Sequence, residues 1–128
     1  MNKGTKMAVA GLLGASLLAT APAALANDAD VIRRGSCSAA SDWKLKLSPE
    51  NGRIEVEYEV DQNKVGDTWK VRLFHNGDRI FRGKRTTKGP SGSFTVRVVT
   101  DNAPGTDHVR AQARNLSTDE RCGGSASI

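Results

Sequence analysis

The chain has 128 residues, 26% of them charged, and a formal net charge of +5 at pH 7. This length fits one small, mildly basic domain. With two histidines and two cysteines, the sequence offers few residues for a catalytic triad or a metal site. A binding role is therefore a better starting hypothesis than catalysis.

The first 26 residues have the pattern of a secretory signal peptide. Lys3 and Lys6 precede an apolar stretch at residues 7–20, and Ala24 and Ala26 form an A-x-A cleavage signature. The apolar stretch is too short to cross a bilayer, which needs about 20 residues. We therefore expect cleavage before Asn27 and a secreted, extracellular, soluble protein without a transmembrane segment.

The two cysteines are expected to pair with each other. Export places the chain in an oxidising compartment, where an unpaired thiol would be a liability. A disulfide between Cys37 and Cys122 would join the first ordered strand to the last. It would also stabilise a domain whose small size limits its hydrophobic core.

From residue 35 onward, apolar and polar residues alternate with the period of two that is typical of half-buried strands. We interpret the preceding residues 27–34 as a flexible leader. Strands are predicted at residues 43–47, 53–60, 68–75, 79–85, 94–99 and 108–114, with a seventh strand around Cys122. This pattern predicts an all-β fold, a single antiparallel β-sandwich of about seven strands over residues 35–128.

Several segments resemble fibronectin type III and bacterial immunoglobulin-like domains. They are "TWKV" at residues 68–71, the "NG" hairpin that follows, and "APGTDHVRAQARN" at residues 103–115. The signal peptide and composition also resemble those of small exported actinobacterial proteins. The resemblance implies an immunoglobulin-like sandwich that binds a partner and catalyses no reaction. Two departures are the cysteines, which join terminal strands, and His108, which stands where a tyrosine is expected.

The predicted hairpin at residues 70–85 is the best functional lead, because it combines many lysines and arginines with two phenylalanines. Asn76 and Gly77 predict a two-residue turn, which fixes the register of the two strands. The register places five pairs opposite each other: His75 and Asp78, Phe74 and Arg79, Leu73 and Ile80, Arg72 and Phe81, and Lys70 and Gly83.

If Leu73 and Ile80 point into the core, the other side of the hairpin faces solvent. An immunoglobulin-like arrangement would place the sixth strand beside the third and extend this surface. The candidate binding residues are Lys70, Arg72, Phe74, Arg79, Phe81 and Arg85 on the hairpin, and Arg110 and Arg114 on the sixth strand. Cations beside aromatic rings suit an anionic or acidic partner.

The opposite sheet is expected to have balanced charges on its outer side. Its outward residues are Lys44, Lys46 and Arg97 against Glu55, Glu57 and Glu59. These charges can pair across neighbouring strands. The sandwich is therefore predicted to have one basic face and one neutral face.

A purely structural interpretation of the hairpin also stands. Cations on an edge hairpin prevent pairing with other sheets, and the predicted register turns Arg82 and Lys84 inward, where they fit that use. The phenylalanines would then only pack against arginine stems across the strands.

The sequence supports no catalytic or metal site. His75 and His108 lack an accompanying G-x-S-x-G elbow or a comparable nucleophile. The segment that starts at Asp61 resembles a calcium loop, but Val65 and Arg72 stand where oxygen ligands are needed. We therefore expect no enzyme activity, no metal and no cofactor.

Three functional hypotheses remain. The first is an exported, monomeric, non-catalytic binding module whose basic face contacts an anionic cell-wall polymer, a nucleic acid, a lipid surface or an acidic protein. The second is an inhibitor or effector that inserts a loop, residues 86–93 or 101–107, into another extracellular protein. The third is a small-molecule carrier resembling the apoproteins of chromoprotein antibiotics.

Overall fold

The computed structural model describes residues 29–128, so the expected signal peptide lies outside the described residues. The described part of the chain contains eight strands. No helix within it is long and apolar enough to span a membrane. The strands are β1 (Val31–Ser36), β2 (Asp42–Glu50), β3 (Arg53–Asp61), β4 (Thr68–His75), β5 (Asp78–Thr86), β6 (Ser93–Asp101), β7 (His108–Asn115) and β8 (Arg121–Ser127).

The strands form two four-stranded antiparallel sheets around one core. The first sheet has the order β1-β2-β3-β6, and the second has the order β5-β4-β7-β8. The predicted all-β architecture of two antiparallel sheets is confirmed, with eight strands in place of about seven. The third and sixth predicted strands, now β4 and β7, are neighbours as expected.

The additional strand is β1, which lies mostly in the segment predicted to be a flexible leader. It pairs with β2 along all six of its residues. Alternation does not reveal this strand, because Val31 is the only large apolar residue on the side that faces the core. Arg33 and Gly35 follow on that side. The strand forms through backbone pairing with β2, a tertiary contact that the local sequence does not encode.

Alternation correctly identifies the inward sides of β2, β3, β4, β6 and β7. The residues that line the core include Leu45, Leu47, Ile54, Val56, Tyr58, Val60, Trp69, Val71, Leu73, Phe94, Val96, Val109, Ala111 and Ala113. Trp69 from the second sheet and Phe94 from the first have ring centroids 6.1 Å apart. This contact helps to hold the two sheets together.

The predicted disulfide is confirmed. Cys37 directly follows β1 and bonds to Cys122 in β8. The buried carboxylate of Glu120 lies beside it and accepts hydrogen bonds from the backbone N–H and the hydroxyl of Ser41, both at 2.8 Å, and from the N–H of Ala39 at 3.1 Å. The covalent bond and the carboxylate together attach the β1–β2 connection to the start of β8.

A buried polar network fixes the start of β4. The Asp67 carboxylate accepts hydrogen bonds from the side chains of Asn115 at 2.9 Å and Gln62 at 2.6 Å. Gln62 in turn accepts a bond from the indole of Trp69 at 3.1 Å. The bonds from Asn115 and Gln62, together with the nearby Lys64 ammonium, hold the pKa of Asp67 below its usual value. The charged carboxylate therefore anchors β4 to β7.

Two glycines make room for Trp43 at the edge of the core. A Cβ atom at Gly35 would lie 2.7 Å from the indole, and one at Gly124 would lie only 2.1 Å from its Cη2 atom. Gly35 is the direct partner of Trp43 across β1 and β2, whereas Gly124 belongs to β8 in the other sheet. The indole is thus held between the two sheets where glycine backbones allow close approach.

We expect Gly124→Ala to lower the free energy of unfolding by about 1–3 kcal/mol, because the added methyl group overpacks against Trp43. Urea unfolding followed by circular dichroism measures this change. Gly123→Ala is the control, since its Cβ would make only an ordinary 3.6 Å contact with the carbonyl oxygen of Ala111. Equal stability of the two variants would contradict the packing of Trp43 described here.

Candidate functional site

The hairpin at the centre of the candidate site turns where the sequence predicts. Asn76 and Gly77 have φ angles of 48° and 88°, which suit the two-residue turn expected of this dipeptide. The two pairs next to the turn, His75 with Asp78 and Phe74 with Arg79, also match the prediction.

Beyond these pairs the register shifts by one residue. Leu73 lies opposite Phe81 and not opposite Ile80, which is left as an extra residue in β5. Arg72 then lies opposite Arg82, and Lys70 opposite Lys84. The predicted pairs of Arg72 with Phe81, Leu73 with Ile80 and Lys70 with Gly83 are therefore wrong.

The bulge has a physical cause in two consecutive apolar residues. A regular strand would turn either Ile80 or Phe81 to solvent, whereas both pack against the core in the bulged strand. Full burial of a side chain of this size contributes about 1.5–3 kcal/mol, and each of these partly buried side chains gains a share of that. The ring of Phe81 also covers Gly83, where a Cβ atom would lie 2.9 Å from the ring. Packing thus overrides the register that the turn alone would set.

The shift removes two predicted residues from the candidate surface. Phe81 is half-buried against the core, and Arg85 lies on the same side of β5 as Phe81. The guanidinium carbon of Arg85 is 5.0 Å from the centroid of the Phe81 ring, a cation–π contact. Arg82 and Lys84, predicted to point inward, face outward instead, because they lie opposite Arg72 and Lys70.

The outer side of the second sheet is strongly basic. Its outward positions hold eight cations: Lys70, Arg72, Arg79, Arg82, Lys84, Arg110, Arg114 and Arg121. We call these residues, together with Phe74, the basic face. Six of the eight predicted binding residues belong to it, whereas Phe81 and Arg85 do not.

The cations of the basic face are arranged in rows across the strands. One row contains Lys84, Lys70, Arg114 and Arg121, one from each strand of the sheet. The next row contains Arg82, Arg72, Gln112 and Gly123, and the third contains Arg79, Phe74, Arg110 and Ser125. Neighbouring strands are about 4.8 Å apart and successive rows about 7 Å apart, so like charges are closely spaced.

Few of these charges are neutralised within the domain. Asp119, in the turn before β8, pairs with Arg114 and Arg121, with N···O distances of 3.4 Å to both. Arg110 lies over the ring of Phe74, with 4.3 Å between its guanidinium carbon and the ring centroid. Among the described residues, the other cations of the basic face have no ion-pair partner: Lys70, Arg72, Arg79, Arg82 and Lys84.

A shallow depression of about 280 Å³ lies within the basic face. Its lining includes Lys70, Arg72, Gln112, Arg114, Arg121 and Gly123. Gly123 has no side chain, which leaves space in β8 between the longer side chains around it. The densest part of the positive charge therefore surrounds a concave surface.

The outer side of the first sheet contrasts with the basic face, as predicted. Lys44 pairs with Glu59 at 3.7 Å and Lys46 with Glu57 at 3.5 Å. Arg97 pairs with Glu55 at 2.7 Å and also with Glu57. Charges on this sheet are paired across the strands, so the sandwich carries its excess positive charge on one side.

The two histidines have separate partners. The imidazole of His75 is hydrogen-bonded to the buried carboxylate of Asp107 at 2.6 Å, and that of His108 to the hydroxyl of Ser127 at 2.7 Å. Within residues 29–128, no group of three or more potential metal ligands occurs. In this part of the chain, neither histidine is hydrogen-bonded to both a hydroxyl and a carboxylate.

The two loops considered for insertion into a partner lie at opposite ends of β6. The loop before β6 is anchored by the buried Thr87, whose hydroxyl donates to the carbonyl oxygen of Lys64 at 2.7 Å. The loop after β6 is anchored by Asp107, which accepts from the N–H of Ala103 at 3.0 Å. A single cleft could therefore contact one of these loops but not both.

Sequence reasoning missed three cations of the basic face. The predicted register puts Arg82 and Lys84 on the wrong side, although an isolated Gly83 within a strand indicates a bulge or close packing. Arg121 is the third. It directly precedes Cys122, which points inward, so alternation places Arg121 outward. Both signals, the isolated glycine and the alternation at Cys122, are present in the sequence. Each is weaker than the Asn76-Gly77 turn signal, from which the register is predicted.

The chain matches no protein-family model and no curated protein.

Crowding of like charges leads to a stability prediction. Lys70 lies directly between Lys84 and Arg114, so we expect Lys70→Gln to raise the free energy of unfolding at low ionic strength by about 0.2–1 kcal/mol. The gain should vanish in 1 M salt, where the screening length is about 3 Å. Urea unfolding at both ionic strengths measures it.

The matched control is Lys46→Gln on the first sheet. Lys46 is paired with Glu57, so its replacement should leave stability unchanged or lower it at low ionic strength. If Lys70→Gln destabilised the protein at low salt as Lys46→Gln does, the proposed repulsion within the basic face would be refuted.

Proposed function

We propose that this protein is an exported, non-catalytic binding module whose basic face contacts a polyanion. The observation that carries the proposal is that eight cations lie on one sheet face. Among the described residues, Asp119 is the one carboxylate that forms an ion pair with any of them. Directly opposed like charges destabilise a sheet. A partner of opposite charge would remove that penalty.

The position of the cations favours binding over protection of the sheet edge. Edge protection accounts for cations on β5 and β8, which are the outer strands of the second sheet. It does not account for those on the central strands β4 and β7, whose backbones are already paired on both sides. These central cations are Lys70, Arg72, Arg110 and Arg114.

The same surface favours an anionic polymer over an acidic protein as the partner. Protein interfaces have a core enriched in aromatic residues and depleted of charge. With Phe81 turned toward the core, Phe74 is the one aromatic residue on the basic face. Four strands span about 14 Å, and a flexible chain of repeated negative charges can follow rows of cations over that width.

Export and fold family form part of the same proposal. The signal-peptide pattern of residues 1–26 and the disulfide are compatible with an extracellular protein. The side-by-side order of β4, β7 and β8, with β5 next to β4, corresponds to strands C, F, G and C′ of immunoglobulin-like sandwiches. We therefore propose that the domain is an exported immunoglobulin-like binding module that acts as a monomer.

The proposal is tested by retention on an immobilised sulfated polysaccharide over a salt gradient. Arg82→Gln should weaken affinity roughly two- to fivefold, the size of one exposed ion pair, and so elute at lower salt. Arg85→Gln is the control: it removes the same charge from the same strand but from the other side of the sheet. It should elute with the wild type.

Two results would contradict the proposal. Equal shifts for Arg82→Gln and Arg85→Gln would show that net charge alone governs retention, with no role for the basic face. Absence of wild-type retention at low salt would remove the polyanion as a partner. Circular dichroism of each variant confirms that its fold is intact.

A further inference from the structure

The depression in the basic face has the features of a site for one anionic group. Its lining combines Lys70 and Arg72 from β4, Arg114 from β7 and Arg121 from β8. The amide side chain of Gln112 adds a neutral donor, and no carboxylate of residues 29–128 lines the depression. Four positive charges from three strands thus surround one concave surface.

We propose that this depression is a subsite for a tetrahedral oxyanion, a phosphate or sulfate group carried by a larger ligand. The inference rests on the proposed function and specifies which chemical group the basic face recognises. It concerns one anion-binding position within the basic face, located in the space over Gly123.

The geometry of the donors favours a tetrahedral over a planar anion. One guanidinium fork is enough to satisfy both oxygens of a carboxylate, which lie in one plane. Here three arginines and a lysine line the same depression from different strands. A phosphate or sulfate ester presents three oxygens in different directions, so it can accept from several of these side chains at once.

The size of the depression limits what it holds. Its volume of about 280 Å³ lies just below the range of drug-sized ligand pockets, about 300–1,000 Å³. It is open to solvent on the outer side of the sheet. An anionic group with a short connecting segment fits, and the rest of the ligand would extend over the neighbouring cations Arg82, Lys84 and Arg110.

Asp119 competes with the ligand for two of these arginines. Its carboxylate is exposed and lies 3.4 Å from nitrogen atoms of both Arg114 and Arg121, a distance at the weak end of ion pairing. A bound oxyanion would replace these contacts. Asn has the same shape as Asp and tolerates the positive φ of 66° at this position, so Asp119→Asn removes the competing charge without altering the turn.

The test uses a substitution that fills the depression without changing any charge. A Cβ atom at Gly123 would lie 3.6 Å from its nearest neighbour, the carbonyl oxygen of Ala111, so Gly123→Val fits the strand and projects into the depression. The matched control is Ser125→Val, which adds the same side chain at the next outward position of β8, outside the lining of the depression.

Binding is followed by NMR, from amide shifts during titration with sodium phosphate, sodium sulfate, glycerol 1-phosphate, or sodium chloride at matched ionic strength. Wild type and Ser125→Val should show saturable shifts at Gln112, Arg114 and Gly123 with the three oxyanions. Affinity should fall at least about tenfold in Gly123→Val and rise roughly threefold in Asp119→Asn. Glycerol 1-phosphate should bind at least as tightly as inorganic phosphate.

Three outcomes would overturn the inference. They are equal shifts with chloride, wild-type phosphate affinity in Gly123→Val, and binding of inorganic phosphate without binding of the ester. Retention of the same variants on the sulfated polysaccharide separates the two proposals. If no saturable oxyanion site is found while retention still depends on Arg82, the subsite is refuted and the proposed function stands.

Discussion

The extra residue that β5 inserts opposite Leu73 determines the chemistry of both sides of the second sheet. It allows Ile80 and Phe81 to pack against the core in succession, and it turns Arg82 and Lys84 to solvent. Without it, a phenylalanine would lie among the outward cations and two cations would point toward the interior. Two of the eight cations of the basic face, and the removal of Phe81 from it, therefore depend on one irregularity in a single edge strand.

The basic face and the rest of the domain have opposite effects on stability. Rows of directly opposed cations destabilise the second sheet, whereas the first sheet pairs its charges across the strands. A continuous core, the Cys37–Cys122 disulfide and the network around Asp67 hold the second sheet in place. A rigid scaffold of this kind can keep repelling charges close together, so that a polyanion meets them in a fixed arrangement.

Much of the fold follows from local sequence rules, and the exceptions share one cause. Alternation identifies the inward sides of β2, β3, β4, β6 and β7, and the Asn76-Gly77 turn gives the hairpin and its first two pairs. A turn fixes register only as far as the first irregularity, and here the burial of Phe81 over Gly83 introduces one. Strand β1 is not predicted for a related reason. It is a strand because its backbone pairs with β2, whereas its own residues show no apolar alternation.

The central claim is that Arg72 and Arg82 are neighbours on the outer side of the sheet. Cross-strand nuclear Overhauser effects in the wild-type protein test it most directly. The account predicts contacts between backbone protons of Arg72 and Arg82, and between the ring of Phe81 and the methyl groups of Leu73. Backbone contacts of Arg72 with Phe81 and of Lys70 with Gly83 would instead establish the unbulged register and contradict the account.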